Sequence, residues 1–243
     1  MLIRKLKTLF KIIICGLRTI NGTQNAKFLN AEDTIKVICK EHKSLIRLGD
    51  GEINILRGKS VSYQPWSPEL QEGIEKTIER YLENKAKYIL GMPGEFLSPK
   101  SYELKWRHLK SWAFSRDYFN KHFDRDITYG DAFVFARPNV KIYERIWLDG
   151  NISKIIFIHN NERYAQEFEK KYKIRTQFIR IPEIDAFKHI HDIEDEIENA
   201  YDENAIVLLS AGPASKVIVR ELSEKGLWCI DTGHCWDSPL LLR

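Results

Sequence analysis

Several of the usual sequence landmarks are missing from this chain, and each absence narrows what it can be. No apolar stretch reaches the roughly 18 residues that a membrane span needs, because charges interrupt every one first. A secretory signal fits poorly, since the apolar core Ile12 to Leu17 is short and no small-residue cleavage site follows it. The four cysteines, Cys15, Cys39, Cys229 and Cys235, show no zinc-ligand spacing, so a reduced, cytosolic setting is the default. There is no Gly-x-Gly-x-x-Gly fingerprint and no Walker A ending. Low-complexity stretches, Pro- or Ser-rich linkers and internal repeats are also lacking. The net charge of +4 is spread along the chain, without the concentrated basic face that nucleic-acid binding requires. No nucleic-acid partner is expected.

What remains is 243 residues, 43% of them apolar, enough for one large α/β domain or one domain with a small appendage. Residues 1–29 read as a basic amphipathic helix and linker, and 30–243 as the globular domain. Leu2, Leu6, Leu9, Ile13, Leu17 and Ile20 recur at helical spacing, while Arg4, Lys7, Lys11 and Arg18 follow another face. A helix of this kind, here residues 2–20, lies in a membrane interface with its basic side toward anionic headgroups, or packs on the domain or a partner subunit. Both readings stay open.

Further along, strand and helix patterns alternate. Asn30 caps a predicted helix from about Ala31 to His42, which leads into a strand at Ser44–Leu48. Ser67-Pro68 opens a second helix reaching about Asn84. Strands are expected at Lys87–Leu90, Ala132–Ala136, Lys154–Ile158, Gln177–Ile181, Ala205–Leu209 and Leu227–Ile230. Helices are expected over Pro99–Phe123, over Ala186–Tyr201 with Asp185 as cap, and over Ala214–Lys225 before Gly226. The alternation predicts an α/β, mostly parallel sheet with helices on both faces, plus the N-terminal amphipathic helix.

In such sheets ligands bind outside the carboxyl ends of the strands. Gly49-Asp50-Gly51-Glu52, Gly91-Met92-Pro93, Arg137, His159-Asn160, Ser210–Pro213 and Asp231–His234 all fall there. In extended backbone, Asp50 and Glu52 leave the same face and converge, a repulsive pairing that a hard divalent cation relieves. Gly49 and Gly51 would let a ligand approach closely. The same residues read equally well as a surface turn. Ser210-Ala211-Gly212-Pro213 feeds a helix N-terminus, where phosphate binds readily, or is a tight connection and no more.

Arg47-Leu48-Gly49-Asp50-Gly51-Glu52 resembles the Arg-x-Gly-Asp-Gly-Glu segment of the GT-D-type glycosyltransferases, a family first catalogued as a domain of unknown function. Four further segments match in order: Tyr129–Pro138, Pro182–Phe187, Leu208–Ser215 and Ile230–His234. The likeness spans roughly residues 30 to 237. Asp185 stands where the family usually has asparagine, and Cys235-Trp236-Asp237 departs from the usual ending.

The resemblance implies a Rossmann-like domain that transfers a hexose from a nucleotide sugar, usually UDP-linked, to a glycan acceptor in cell-surface polysaccharide or glycoprotein assembly. It implies a divalent metal, Mn or Mg, served by Asp50 and Glu52. Arg47 or Arg137, with Gly49, Gly51 and the Ser210, Gly212 and Pro213 turn, would hold the donor. His234 and Asp231 are candidates by position for the base that deprotonates the acceptor. The expected location is cytoplasmic, peripheral on the inner face of the membrane, and an oligomer is compatible with the sequence. Two rival readings are a pyrophosphokinase-like nucleotide enzyme and a non-catalytic partner of a membrane-associated transferase complex. Trp66 and Trp236 are candidates for sugar stacking, with Trp106, Trp112 and Trp147 in the core. His189 and His191 are expected in solvent, and Glu194, Asp195, Glu196 and Glu198 on an acidic surface.

Overall fold

The computed structural model describes residues 2–23, 26–123, 126–148 and 151–237. Eight strands, β1 Lys27–Phe28, β2 Ser44–Arg47, β3 Tyr88–Met92, β4 Thr128–Asp131, β5 Lys154–His159, β6 Arg175–Arg180, β7 Ala205–Leu209 and β8 Cys229–Asp231, form one parallel sheet in the order β1-β4-β3-β2-β8-β7-β5-β6. Strand residues alternate between its faces. Ile46, Leu90, Ile156, Val207 and Leu209 enter one core; Leu45, Ile89, Ile155, Phe157, Ile206 and Leu208 enter the other. With both faces covered, the central strands β5 and β7 read as nearly unbroken apolar runs, whereas the edge strand β6 alternates.

The first core lies under α3 (Asp50–Leu56), α4 (Pro68–Leu82), α6 (Trp106–His122), α10 (Ile190–Ala200) and α11 (Ala214–Glu224). The second lies under α2 (Ala31–Glu41), α7 (Val140–Tyr143), α8 (Arg145–Leu148) and α9 (Arg163–Tyr172). The short α5 (Gly94–Leu97) precedes α6. Local signals account for many boundaries. Asn30 and Ser67 cap α2 and α4 through side-chain oxygens that accept from Asp33 N and Leu70 N, and Gly226, at φ +95°, ends α11.

Three boundaries differ most from the sequence reading, and the first is the helix expected over Pro99–Phe123, which begins only at Trp106 as α6. The fourth strand is Thr128–Asp131, and Ala132–Ala136 is a turn. Asp131 Oδ1 accepts from Phe133 N at 2.7 Å, and Phe133 O accepts from Ala136 N at 2.9 Å, so the chain curls out of the sheet as soon as β4 ends. Asp185 does not cap the helix that follows. It sits in the left-handed region at φ +61°, and the helix starts as a 3-10 turn over Ala186–His189.

At the amino end α1 (Leu2–Arg18) lies against α6. Ile12 and Cys15 pack with Ala113, and fully buried Arg116 ties the two segments by donating to the Thr19 carbonyl at 2.9 Å and to the Pro99 carbonyl at 2.7 Å. Leu6, Phe10, Ile13 and Leu17 face outward on α1; the side chains of Leu2 and Arg4 lie outside the described residues. No helix among the described residues is long and apolar enough to cross a membrane.

Candidate active site

The site is built on a buried ion network at the β2–β8 junction. Arg47 closes β2 and its side chain turns under the carboxyl end of β8, with Nε donating to the Asp231 carbonyl at 2.8 Å and Nη1 to the Ala132 carbonyl at 2.9 Å. Asp231, fully buried, accepts from Arg47 N at 3.1 Å and from Lys216 Nζ at 2.8 Å, both on Oδ2. Lys216 Nζ also lies 3.3 Å from Glu52 Oε1 and donates to the Gly212 carbonyl at 3.2 Å. Burial alone would lower the Lys216 ammonium, but Asp231 and then Glu52 outweigh it and hold its pKa above the usual range. Burial would likewise raise the Asp231 carboxyl, and Lys216 and Arg47 together keep it low. Gly233 is required by this packing: at φ +51°, a Cβ there would stand 1.9 Å from Arg47 Nη2.

Above this floor α3 begins, and here the backbone departs from expectation. Asp50 and Glu52 are helical, the first and third residues of α3 with Gly49 as the extended N-cap, so they leave the backbone in different directions. Glu52 Oε2 reaches back to accept from Gly49 N at 2.7 Å, half of a capping box. The signal was in the sequence, as a glycine followed three residues later by glutamate ahead of an apolar run. Glu52 is therefore buried and partnered, whereas Asp50 is exposed and has no basic partner within ion-pair distance among the described residues. Its carboxyl pKa is raised, first by desolvation and then by the Glu52 charge.

Arg47, Gly49, Asp50, Gly51, Glu52 and Lys216 line a cavity of about 260 Å³ whose far wall is aromatic, with Trp112, Phe133 and Phe135. Trp112 stacks on Phe96 at 4.9 Å, and Phe133 meets both rings edge-on. A second cavity, about 210 Å³, lies along the sheet toward β5 and β6 and is less apolar than the first, with His159, Asn160, Glu183, Ser210 and Asp237 among its lining. Burial lowers the His159 pKa, and Asn161 N–H donates to its Nδ1 at 3.0 Å, which leaves the neutral ring its proton on Nε2.

Tyr63 and His234 line both cavities and meet edge-to-face at 6.1 Å. Tyr63 belongs to a loop between α3 and α4 that crosses the cleft. Its carbonyl accepts from Asp185 N at 2.9 Å, while Asp185 Oδ1 accepts from Gln64 Nε2 at 2.7 Å. Gly212, at φ +57°, lies so close beneath that a Cβ would stand 2.7 Å from the Tyr63 ring.

The cleft thus gathers most, though not all, of the residues singled out from the sequence. Arg47, Gly49, Asp50, Gly51, Glu52, Gly212 and His234 line the first cavity, and Ser210 lines the second. Pro213 is buried at the start of α11 and lines neither cavity. Arg137 is exposed in a 3-10 turn outside both, because the chain turns away after β4. Asp231 lies beneath the floor, ion-paired and out of reach of an acceptor hydroxyl. The tryptophan assignments also change. Trp236 packs in the core against Trp147 and Phe157, Trp66 is exposed away from both cavities, Trp106 is exposed, and Trp112 forms cavity wall. His189 and His191 are exposed as expected, but Glu194 is buried.

Lys216 and Tyr63 were missed by sequence reasoning. For Lys216 a faint signal existed, since a lysine in the first turn of a helix opposes the dipole and needs a partner elsewhere.

Compared with known proteins, residues 45–238 match the family model described as glycosyltransferase GT-D fold, a span holding every group of the cleft. The chain belongs to the GT-D-fold glycosyltransferases. Among curated relatives it is similar to "Glycosyltransferase GlyD" of Streptococcus pneumoniae serotype 4 (strain ATCC BAA-334 / TIGR4), 27% identical over 224 residues, covering 84% of this chain and 26% of the relative. It is also similar to "Probable glycosyl transferase Gly" of Streptococcus gordonii, 21% identical over 224 residues, 85% of this chain and 31% of the relative. The chain therefore spans between a quarter and a third of the length of these relatives. Two solved structures share the fold. One is a glycosyltransferase (DUF1792) from Streptococcus sanguinis, with TM-score 0.71, 18% identity, and coverage of 87% of this chain and 82% of that one. The other, a domain of unknown function 1792 with a distinct glycosyltransferase fold, has TM-score 0.73, 19% identity, and coverage of 94% and 83%. At these identities the likeness establishes the GT-D architecture, an α/β domain on a parallel sheet, and no finer property.

Proposed function

We propose that this GT-D domain transfers a hexose from a nucleotide sugar, UDP-linked, to a glycan acceptor, with a divalent metal at the diphosphate. The observation that carries the reading is Asp50, an unpaired carboxylate standing in the first cavity, near Gly212 at the start of α11. Gly212 leads into α11, whose positive dipole end favours a diphosphate. Burial, followed by the Glu52 charge, raises the Asp50 pKa, a penalty on its charged form that a bound cation would relieve.

The donor set fits Mn or Mg in a particular way. No group of three His, Cys, Asp or Glu side chains able to hold a metal exists among the described residues. Hard oxygen donors are nevertheless present, and such ions are often held by one or two carboxylates with phosphate oxygens and water completing the shell. Asp50 would be the direct protein ligand, with Glu52, already engaged by Gly49 and Lys216, beside it. When bound, the ion supplies charge neutralisation on the departing diphosphate. Gly49 and Gly51 leave room at the α3 end, and below them Arg47 and Lys216 are held by Asp231 and Glu52 as a charge-balanced floor. His234, at the junction of the two cavities with its side chain 63% exposed, is the residue placed to take a proton from an acceptor hydroxyl.

The outward apolar stripe of α1, Leu6, Phe10, Ile13 and Leu17, with Lys7, Lys11 and Arg18 on the same helix, supports a peripheral position on the cytoplasmic face of an anionic membrane. The assembly of cell-surface polysaccharide or glycoprotein is the process such a position suits.

The test is calorimetric titration of UDP into the wild type and Asp50→Ala, with and without Mn. Mn-dependent binding that the variant loses is expected, with Mn alone binding weakly because the protein contributes few ligands. Absence of UDP binding both with and without Mn would refute the reading, and binding of ATP or GTP instead would favour a pyrophosphokinase-like enzyme.

A further inference from the structure

The second cavity shares Tyr63, Gly212, Gly233 and His234 with the first, along the same row of strand ends, and its remaining groups have no role in the proposed diphosphate site. Three observations bear on what it takes. The first is volume: small-molecule sites usually occupy roughly 300–1,000 Å³, and neither cavity, at about 260 and 210 Å³, reaches this alone. Joined across Tyr63 and His234, they do.

The second is a division of chemistry. The cavity at the β4 end carries the half-exposed Trp112 and Phe133 rings, which offer a π-face to a planar base. The cavity at the β5–β6 end has no such wall beyond the shared Tyr63. It offers hydroxyl, amide, imidazole and carboxylate groups at Ser210, Asn160, His159, Glu183 and Asp237, the mixed donors and acceptors that match the alternating hydroxyls of a pyranose. His159, 4% exposed, contributes a neutral ring whose remaining donor is Nε2.

The third is order. Read across the sheet from β4 through β2, β8 and β7 to β5, the cleft presents aromatic wall, then Asp50 and Gly212, then the second cavity. A nucleoside diphosphate hexose has the same sequence of parts: base, diphosphate, sugar.

We propose that the donor lies along the sheet with its base against Trp112 and Phe133 and its hexose in the second cavity, where Asn160, Ser210 and His159 recognise the ring hydroxyls. Tyr63 then stands between diphosphate and sugar as the partition. It is held there by the Asp185 N–H and by Gln64, which is itself buried and bonded to Asp185. The anomeric carbon falls at the junction, next to His234. This assignment rests on the glycosyltransferase reading and adds the polarity of the donor.

The experiment compares UDP with UDP-glucose and UDP-galactose, in the presence of Mn, by calorimetry on wild type, Asn160→Ala, Ser210→Ala, Trp112→Ala and Trp112→Phe. Asn160→Ala and Ser210→Ala are expected to cut the affinity advantage of the preferred UDP-hexose over UDP by about threefold or more, the worth of a lost hydrogen bond. Trp112→Ala should weaken UDP and UDP-hexose together by about fivefold or more, the worth of a lost stacking contact, and Trp112→Phe should recover most of it. The two polar substitutions lie far from the aromatic wall, so a folding defect in Trp112→Ala does not decide the outcome. A hexose advantage that survives both polar substitutions, that is absent in the wild type, or that disappears with Trp112 instead would overturn the assignment. Failure of wild-type protein to bind UDP at all would show up before any variant is compared, and would remove the underlying reading as well.

Discussion

Lys216→Met tests the charge network beneath the cleft. The substitution keeps an unbranched side chain of similar length and removes the ammonium that holds Asp231 at 2.8 Å and Glu52 at 3.3 Å. Asp231 keeps the Arg47 main-chain N–H at 3.1 Å and its guanidinium at 3.7 Å, and Glu52 keeps the Gly49 N–H at 2.7 Å. Removing one partner from a buried ion pair costs about 3–5 kcal/mol. The surviving Arg47 contact places this case toward the lower end, about 3 kcal/mol. For a chain of this size each kcal/mol lowers Tm by roughly 2–4 °C, so a fall near 10 °C is expected. The pH dependence separates charge from packing. In the wild type the Asp231 pKa lies below its unfolded value, so its contribution is present above about pH 4 and is lost as pH falls through the folded value. In the variant the carboxyl, left with Arg47 alone against its burial, moves upward and takes up a proton on acidification, which relieves the penalty. The stability gap between the two proteins, measured by urea unfolding, should be widest near neutral pH and narrow toward about pH 5. A gap below about 1 kcal/mol, or one that stays constant with pH, would refute the reasoning, because lost packing alone has no reason to titrate.

Gly233→Ala should cost about 3 kcal/mol or more, since it adds left-handed strain of about 1–2 kcal/mol to a clash that displaces the Arg47 guanidinium. Gly226→Ala, also at positive φ but with no atom within 4 Å of the new Cβ, should cost only the strain, so equal Tm losses for the two would contradict the packing argument. Burial, and secondarily Glu221, push the Glu194 carboxyl up to about 8. A folded pKa above the unfolded value means that native protein loses stability as pH rises from about 5 to 8. Glu194→Gln should therefore stabilise, by about 1–3 kcal/mol at pH 8 and by little at pH 5, and a pH-independent effect would show that the carboxyl is not buried in its neutral form.

Much of the architecture was legible before any coordinates. Continuous apolar runs such as Ala205–Leu209, with turn residues after them, fix a buried parallel strand because both faces of such a sheet are covered, and caps such as Asn30, Ser67 and Gly226 act through neighbours a few residues away. Four ordered segments around Arg47–Glu52 identified the family for the same reason, since the residues that face one cleft are spaced along the chain by the strands that carry them. The sequence by itself thus determined the layered α/β fold, the strand ends that meet at the site and the kind of chemistry gathered there.

Tertiary structure decided the rest. Whether Gly49-Asp50-Gly51-Glu52 continues a strand or opens a helix depends on where β2 must stop, and that choice separates a free Asp50 from a Glu52 committed to Gly49 and Lys216. Asp231 ends β8 at the position of a catalytic carboxylate, but the packing of Arg47 and Lys216 encloses it in the floor. Arg137 is carried away from the cleft by a turn that a single Asp131–Phe133 hydrogen bond initiates. Tyr63 and Trp112 enter the cleft from loop and helix segments distant in sequence, so no local pattern announces them, and Lys216 left only the faint signal of a lysine in a first helical turn. Propensity, capping and periodicity act over a few residues, whereas burial and charge pairing depend on which distant segments meet, and here they set the role of each residue in the cleft.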